Sequence, residues 1–147
     1  MLKILTSKNR FVRYWLPPLI WALVIFVFSS LPSIKASNIY WKEFFIKKSG
    51  HMVEYGIFTV LLYRAFLNYL KDEKKAGLYS TLMSSFYGAS DEFHQLFTPG
   101  REPTVRDFLF DSLGSILAIL IIWKVINASQ KLKNFGTRLE LIKKGVL

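Results

Sequence analysis

The sequence predicts an all-α, polytopic membrane protein: four transmembrane helices in one bundle, N-terminus and C-terminus both inside, with short interfacial helices. Three observations predict it. Of 147 residues 52% are hydrophobic and only 20% charged, which excludes a disordered or fibrous chain. The apolar residues fall in four blocks, and the mean hydropathy is +0.28. The 20 Lys and Arg, set against 10 Asp and Glu, are concentrated in alternate connections between the blocks. A net charge of +10 on a water-exposed domain would suggest nucleic acid. The blocks argue against that reading, and no nucleic-acid partner is expected. The chain has no cysteine, so disulfide scaffolds, Cys-ligated zinc and thiol catalysis are excluded.

The first predicted helix covers about 14–31. Between Arg13 and Lys35 lie 21 uncharged residues, and about 20 suffice to cross a hydrocarbon core of roughly 30 Å. Pro17 and Pro18 fall in the first turn, where a missing N–H is tolerated. Basic residues precede the block as in a signal peptide. No small-x-small cleavage site follows Phe28 and three more blocks do, so a retained helix is expected. The other helices are predicted over about 50–69, 77–97 and 105–126. Each is long enough to span, and each carries ionisable groups.

Orientation follows from the connections. With the N-terminus inside, twelve basic residues lie in the cytoplasm: Lys3, Lys8, Arg10, Arg13, then Lys71, Lys74, Lys75, then Lys131, Lys133, Arg138, Lys143, Lys144. Six lie outside: Lys35, Lys42, Lys47, Lys48, Arg101 and Arg106. The positive-inside rule selects this arrangement. Arg64 and Lys124 then fall at cytoplasmic helix ends, where long side chains snorkel. Asn38 to Phe45 is expected to form a short interfacial helix. Residues 1–130 make the transmembrane domain, and 131–147 a basic tail. In the tail Leu132, Phe135, Leu139, Ile142 and Val146 recur at helical spacing, as on an amphipathic surface helix. A solvated tail is the competing account, and Gly136 favours it.

The same orientation gathers the intramembrane acids and both histidines at one depth, in the outer leaflet. His51, Glu54 and Tyr55 share a face of the second helix, as Tyr87, Asp91, His94 and Gln95 do on the third. Asp107, Asp111, Gly114, Ser115 and Ala118 form a stripe on the fourth, where Gly114 and Ala118 permit close helix approach. Glu92 stands beside Asp91. A charge at mid-membrane costs roughly 2.5–3.5 kcal/mol, so these acids are expected to face one another.

Three chemistries remain open. Lys48, Arg101 and Arg106 pair with the acids and merely fix packing. Alternatively, His51, Glu54, Asp91 and His94 hold a divalent metal, since Asp91-x-x-His94 has the spacing of carboxylate–histidine sites in helical bundles. Or His51, Glu54, Asp91, Glu92, His94, Asp107 and Asp111 supply general acids and bases acting on a lipid head group. Pro99-Gly100 suits a tight turn that aims Arg101 at the mouth of the cluster, ready for a phosphate or carboxylate.

The run Asp91-Glu92-Phe93-His94-Gln95-Leu96-Phe97-Thr98-Pro99-Gly100-Arg101, followed by Asp107 and Asp111-Ser112-Leu113-Gly114, resembles the VanZ-like family. So does Lys48-Ser49-Gly50-His51 with Tyr55. The resemblance spans about Lys47 to Ile126. It implies a multi-pass protein of the bacterial cytoplasmic membrane, in a family whose namesake gives low-level resistance to the glycopeptide teicoplanin. Carried over by position, the motif residues are Lys48, His51, Tyr55, Asp91, Glu92, His94, Gln95, Arg101, Asp107, Asp111 and Gly114. Many relatives have Asn where Asp111 stands, so this chain adds a negative charge there. The expected function is binding of an anionic lipid or cell-wall precursor at the outer-leaflet cluster, with Lys48, Tyr55, Gln95, Arg101 and Arg106 as ligand contacts. The alternative is an intramembrane enzyme, with or without a metal, acting on a lipid-linked or phosphorylated substrate. The expected partners are membrane lipids and a lipid-linked wall precursor or glycopeptide-related ligand.

Overall fold

A computed structural model describes residues 8–32, 40–99, 101, 104–125 and 128–142. Among them the regular elements are all helical: α1 (Arg10–Tyr14), α2 (Leu16–Ser30), α3 (Tyr40–Leu70), α4 (Glu73–Gln95), α5 (Val105–Leu120) and α6 (Gln130–Arg138). A π-helical turn, Ile121–Val125, continues α5.

Local chemistry sets these boundaries. Asn9 accepts from the Phe11 and Val12 N–H groups and caps α1. The prolines sit in the first turn of α2, which opens at Leu16 rather than at 14. α3 contains no proline and runs unbroken for 31 residues. The short interfacial helix expected from Asn38 to Phe45 is therefore, from Tyr40 onward, the beginning of α3; Asn38 and Ile39 lie outside the described residues. Lys71 takes a left-handed φ of 54°, and Asp72 accepts from the Lys75 N–H to cap α4. So α4 starts at Glu73, four residues before the expected 77. Thr104 caps α5 through the Asp107 N–H.

α3 is the central element, packed along α5 and α4, with α2 laid against α3 and α4. The N-terminal half of α3 faces the N-terminal half of α5: Gly114 abuts Met52, and Lys48 and His51 pair with Asp107 and Asp111. These two helices run in the same direction. α4 runs against both, since Gly88 meets Asp111 and Gly77 meets Trp123.

Two apolar clusters hold the bundle. Ile25, Tyr55, Phe58 and Leu62 join α2 to α3. Tyr63, Leu67, Ala76, Ile119, Ile122 and Leu141 join α3, α4, α5 and the tail. Between them the interior is polar: Thr59, Ser80, Ser84, Asp111 and Ser115 are completely buried, and the Ser84 and Ser115 hydroxyls lie 2.9 Å apart. The exterior is apolar, with Leu23, Leu82, Phe86, Phe93 and Leu109 exposed. No helix among the described residues is long and apolar enough to cross a membrane. α2 is strongly apolar but has 15 residues, about 22 Å at 1.5 Å per residue. The longer α3 and α4 are interrupted by charges.

The tail departs most from expectation. α6 is present but ends at Arg138, and the Gly136 carbonyl in its last turn accepts from the Leu141 N–H at 2.9 Å. Glu140, with a left-handed φ of 60°, then turns the chain back onto the bundle. Its carboxylate pairs with Arg13 on one oxygen and with Arg64 on the other, and accepts from the Tyr14 hydroxyl. Arg64 also lies over the Tyr14 ring. It is buried rather than snorkelling. A basic residue 76 positions from its acid is drawn inward because it is paired there.

This knot is testable. Burial alone would raise the Glu140 carboxyl, but the Arg64 and Arg13 guanidiniums outweigh it and hold it below its ordinary value of 4.5. A depressed folded value means that stabilisation is complete above about 4.5 and is lost as pH falls through the folded value. Glu140→Gln should lower stability by about 2–3 kcal/mol at neutral pH, because Arg64 keeps its burial and loses its charge partner. Thermal unfolding of both proteins between pH 3 and pH 7 checks this. The difference between them should vanish at the acid end.

Candidate functional site

The site is built where the first turns of α5 meet the middle of α3 and the last turns of α4. Gly114 makes the meeting possible. A Cβ there would overlap the Met52 carbonyl and approach the Met52 Cα to 2.8 Å, so only glycine lets the two backbones lie so close. The spacing of Asp107, Asp111, Gly114, Ser115 and Ala118 predicts one stripe, and all five are buried.

Lys48 pairs with Asp107, and both are largely buried. His51 Nδ1 lies 3.0 Å from Asp111 Oδ1. Gln95 Nε2 donates to Asp91 Oδ2 at 2.9 Å, one helical turn apart on α4. Thr104 ties α4 to α5: its backbone N–H donates to Glu92 Oε2 at 3.0 Å, and its hydroxyl to Asp107 Oδ1 at 2.7 Å. Tyr55 is fully buried beside Asp111, across the space that Gly88 leaves open. The Tyr55 hydroxyl, Asp111 Oδ2 and Glu92 Oε1 are buried without a hydrogen-bond partner among the described residues. Each such group costs about 1–3 kcal/mol, an unusual concentration for a layer that serves packing alone.

Four expected members stand apart from this layer. His94 faces α2, with Nε2 3.1 Å from the Ser30 hydroxyl and its ring on Phe26. Three residues advance a helix by about 300°, which leaves His94 about 60° off the Asp91 direction. The Asp91-His94 pair thus diverges, and among the described residues no three of the His, Asp and Glu groups are arranged to hold a metal ion. Tyr87 also turns to α2, donating to the Ala22 carbonyl. Arg101 is anchored by donating to the Phe28 and Leu31 carbonyls at 2.8 and 3.2 Å, so it closes the C-terminus of α2. The turn that carries it is present, with the Arg101 N–H donating to the Thr98 carbonyl; Gly100 lies outside the described residues. Arg106 lies over the Phe44 ring, 4.9 Å from its centroid, rather than pairing with an acid among the described residues.

Beside the buried layer opens a cavity of about 680 Å³ between α2 and α3. Trp21, Val24, Phe28, Val53 and Ile57 wall it, and Lys47, His51, Glu54 and Arg101 carry its polar groups. The Trp21 indole N–H donates to the Glu54 carbonyl at 3.0 Å and fixes one wall to the other. His51 therefore belongs to both places: it pairs with buried Asp111 and lines the cavity. Sequence reasoning missed Trp21, Thr104 and Lys47 as site residues. Thr104-x-x-Asp107 is a legible helix-start signal. Trp21, Val24 and Phe28 share a face of α2, but periodicity alone does not say what that face meets.

The VanZ/LLP1 family profile matches residues 4–127. The chain belongs to the VanZ/LLP1 family. No curated protein and no solved structure matches it significantly. The matched stretch of this family member contains every residue of the site and stops short of Glu140 and Leu141.

Two substitutions separate the close approach from ordinary packing. Gly114→Ala should destabilise by about 3 kcal/mol, because backbone cannot move aside as a side chain does. Gly56→Ala, whose Cβ would meet neighbours at 3.5 and 3.9 Å, should be neutral or stabilising by up to about 1 kcal/mol through helix propensity. Thermal unfolding of the two variants checks the contrast.

Proposed function

We propose that this VanZ/LLP1 family member is a multi-pass protein of the bacterial cytoplasmic membrane. It binds an anionic lipid or lipid-linked cell-wall precursor in the α2–α3 cavity and thereby alters susceptibility to glycopeptides such as teicoplanin. The observation that carries the reading is the make-up of that cavity. Its walls are apolar and its polar groups are gathered where α3 carries Lys47 and His51 and where Arg101 closes α2. A pocket with an apolar wall and a few convergent polar groups suits an amphiphile, and the cations suit a phosphate or carboxylate head.

The distribution of residues supports the membrane setting. Asp111, Ser84 and Ser115 are fully buried, while Phe86 is 77% and Leu23 61% exposed. In water such an exterior is an association hazard. Against acyl chains it is matched, and the polar groups then belong inside the bundle. The excess of basic residues in alternate connections supports both termini inside.

A second reading, acid–base catalysis on a lipid-linked or phosphorylated substrate, is favoured by the His51–Asp111 pair. A buried carboxylate on Nδ1 fixes the tautomer that leaves Nε2 as an acceptor, and His51 reaches the cavity.

Two experiments test the function. Phe97→Cys should be labelled from outside the cell and Lys74→Cys only from inside; labelling of position 74 from outside overturns the orientation. Native mass spectrometry of the purified protein should show bound anionic lipid. Val24→Trp, which fills the cavity, should weaken that binding at least tenfold, about 1.4 kcal/mol. Undiminished binding in that variant overturns the cavity as the site. Asp111→Asn separates the two readings: susceptibility lost with binding intact supports catalysis, and both retained supports the binder.

A further inference from the structure

A second furrow lies on the other flank of α3, between it and α5, with a volume of about 460 Å³. Gly56, Val60 and Leu61 form one wall, and Leu117, Ala118 and Ile121 the other. No side chain that lines it is charged or carries a hydroxyl or amide. Its depth comes from the small residues Gly56, Gly114 and Ala118, beside which α3 and α5 lie with backbones in contact. Leu141, folded back from the tail, takes part in its lining at the end away from the polar layer.

The furrow and the α2–α3 cavity are not independent. Val53 and Ile57 line both, so they form a ridge between two apolar troughs. Both residues are exposed, Val53 at 62%. Along α3 the cavity is lined from Ile46 to Ile57 and the furrow from Met52 to Leu61, so the two overlap from Met52 to Ile57. From Val53 to Leu61 the furrow extends about 12 Å at 1.5 Å per residue. The charged and titratable side chains His51, Glu54, Lys47 and Arg101 line the α2–α3 cavity, and Val53 and Ile57 are what it shares with the furrow.

We propose that the occupant of the site is a two-chain anionic lipid straddling α3. Its head group meets Lys47, His51 and Arg101, one chain fills the α2–α3 cavity, and the other fills the α3–α5 furrow, with Val53 and Ile57 between them. This deepens the functional reading above and rests on it. Charge complementarity selects an anionic head. The uncharged furrow and the apolar wall of the α2–α3 cavity share one ridge, Val53 and Ile57, and this selects two chains over one. A single-chain amphiphile would occupy only one of the two troughs.

The test compares dipalmitoyl-phosphatidylglycerol with its one-chain lyso form, titrated into the detergent-purified full chain and read by native mass spectrometry. The wild type should bind the two-chain form at least tenfold more tightly. Leu117→Trp fills the furrow from a partly exposed position outside the polar layer, and should bring the two lipids to within about twofold of each other. Val24→Trp should weaken both. Equal binding of the two lipids by the wild type, with Val24→Trp still weakening both, overturns the two-chain occupant and leaves the anionic-amphiphile reading standing. A tenfold preference that survives Leu117→Trp overturns the placement of the second chain. Failure to bind either lipid overturns both readings. A lipid-free dimer that Leu117→Trp dissociates assigns the furrow to a second copy and overturns the proposal.

Discussion

The backbone contact of α3 with α5 at Met52 and Gly114 is the constraint on which the rest of the structure depends. Two parallel helices ordinarily keep a side-chain layer between them. Here that layer is absent at one level, so the residues one and two turns above are brought into direct reach. Lys48 then meets Asp107 and His51 meets Asp111 across a distance that long side chains can close without bending the helices. One turn below, the same approach leaves a furrow beside Gly56 and Ala118. A single glycine thus sets both the polar layer and the apolar trough beside it.

The polar layer is only half satisfied from within. Lys48, Gln95 and Thr104 answer Asp107, Asp91 and one oxygen of Glu92. The Tyr55 hydroxyl, Asp111 Oδ2 and the other Glu92 oxygen have no partner among the described residues. A network designed for packing alone is more stable when complete, since a buried unmade hydrogen bond costs more than an apolar replacement of the same shape. The incomplete network lies beside the α2–α3 cavity. His51 is the link between them, because it is the side chain that both pairs with the buried acid and lines the cavity.

Much of this was legible in the sequence. The stripe on α5 follows from i, i+4 and i+7 spacing, and all five of its residues are buried as that spacing requires. The common depth of Lys48, His51, Asp91, Glu92, Asp107 and Asp111 follows from where each falls along its helix. Pairing was not legible, since it depends on the rotation and crossing of helices far apart in sequence. His94 shows the limit: a 60° difference in heading sends it to Ser30 and Phe26 while Asp91 turns inward. Arg101 shows another, because its reach was foreseen but not the carbonyls at the end of α2 that would claim it.

Glu140 was not legible as a structural residue, yet it ties the tail to α1 and α3 through Arg13, Tyr14 and Arg64. In sequence it is an acid among tail bases, which local reasoning reads as a solvated surface. Its partners Arg13 and Arg64 stand 127 and 76 positions away, beyond any periodicity. A left-handed conformation at a residue with a side chain costs about 1 kcal/mol or more, and it persists only where surrounding contacts dictate it. Two guanidiniums and the Tyr14 hydroxyl dictate it here. The consequence falls on the next residue, because the same turn drives Leu141 between Leu67, Ala76 and Ile122 and into the lining of the α3–α5 furrow. The ion-pair knot at one end of the bundle and the close approach of backbones toward the other therefore bound the same trough, one by placing a leucine and the other by omitting a side chain.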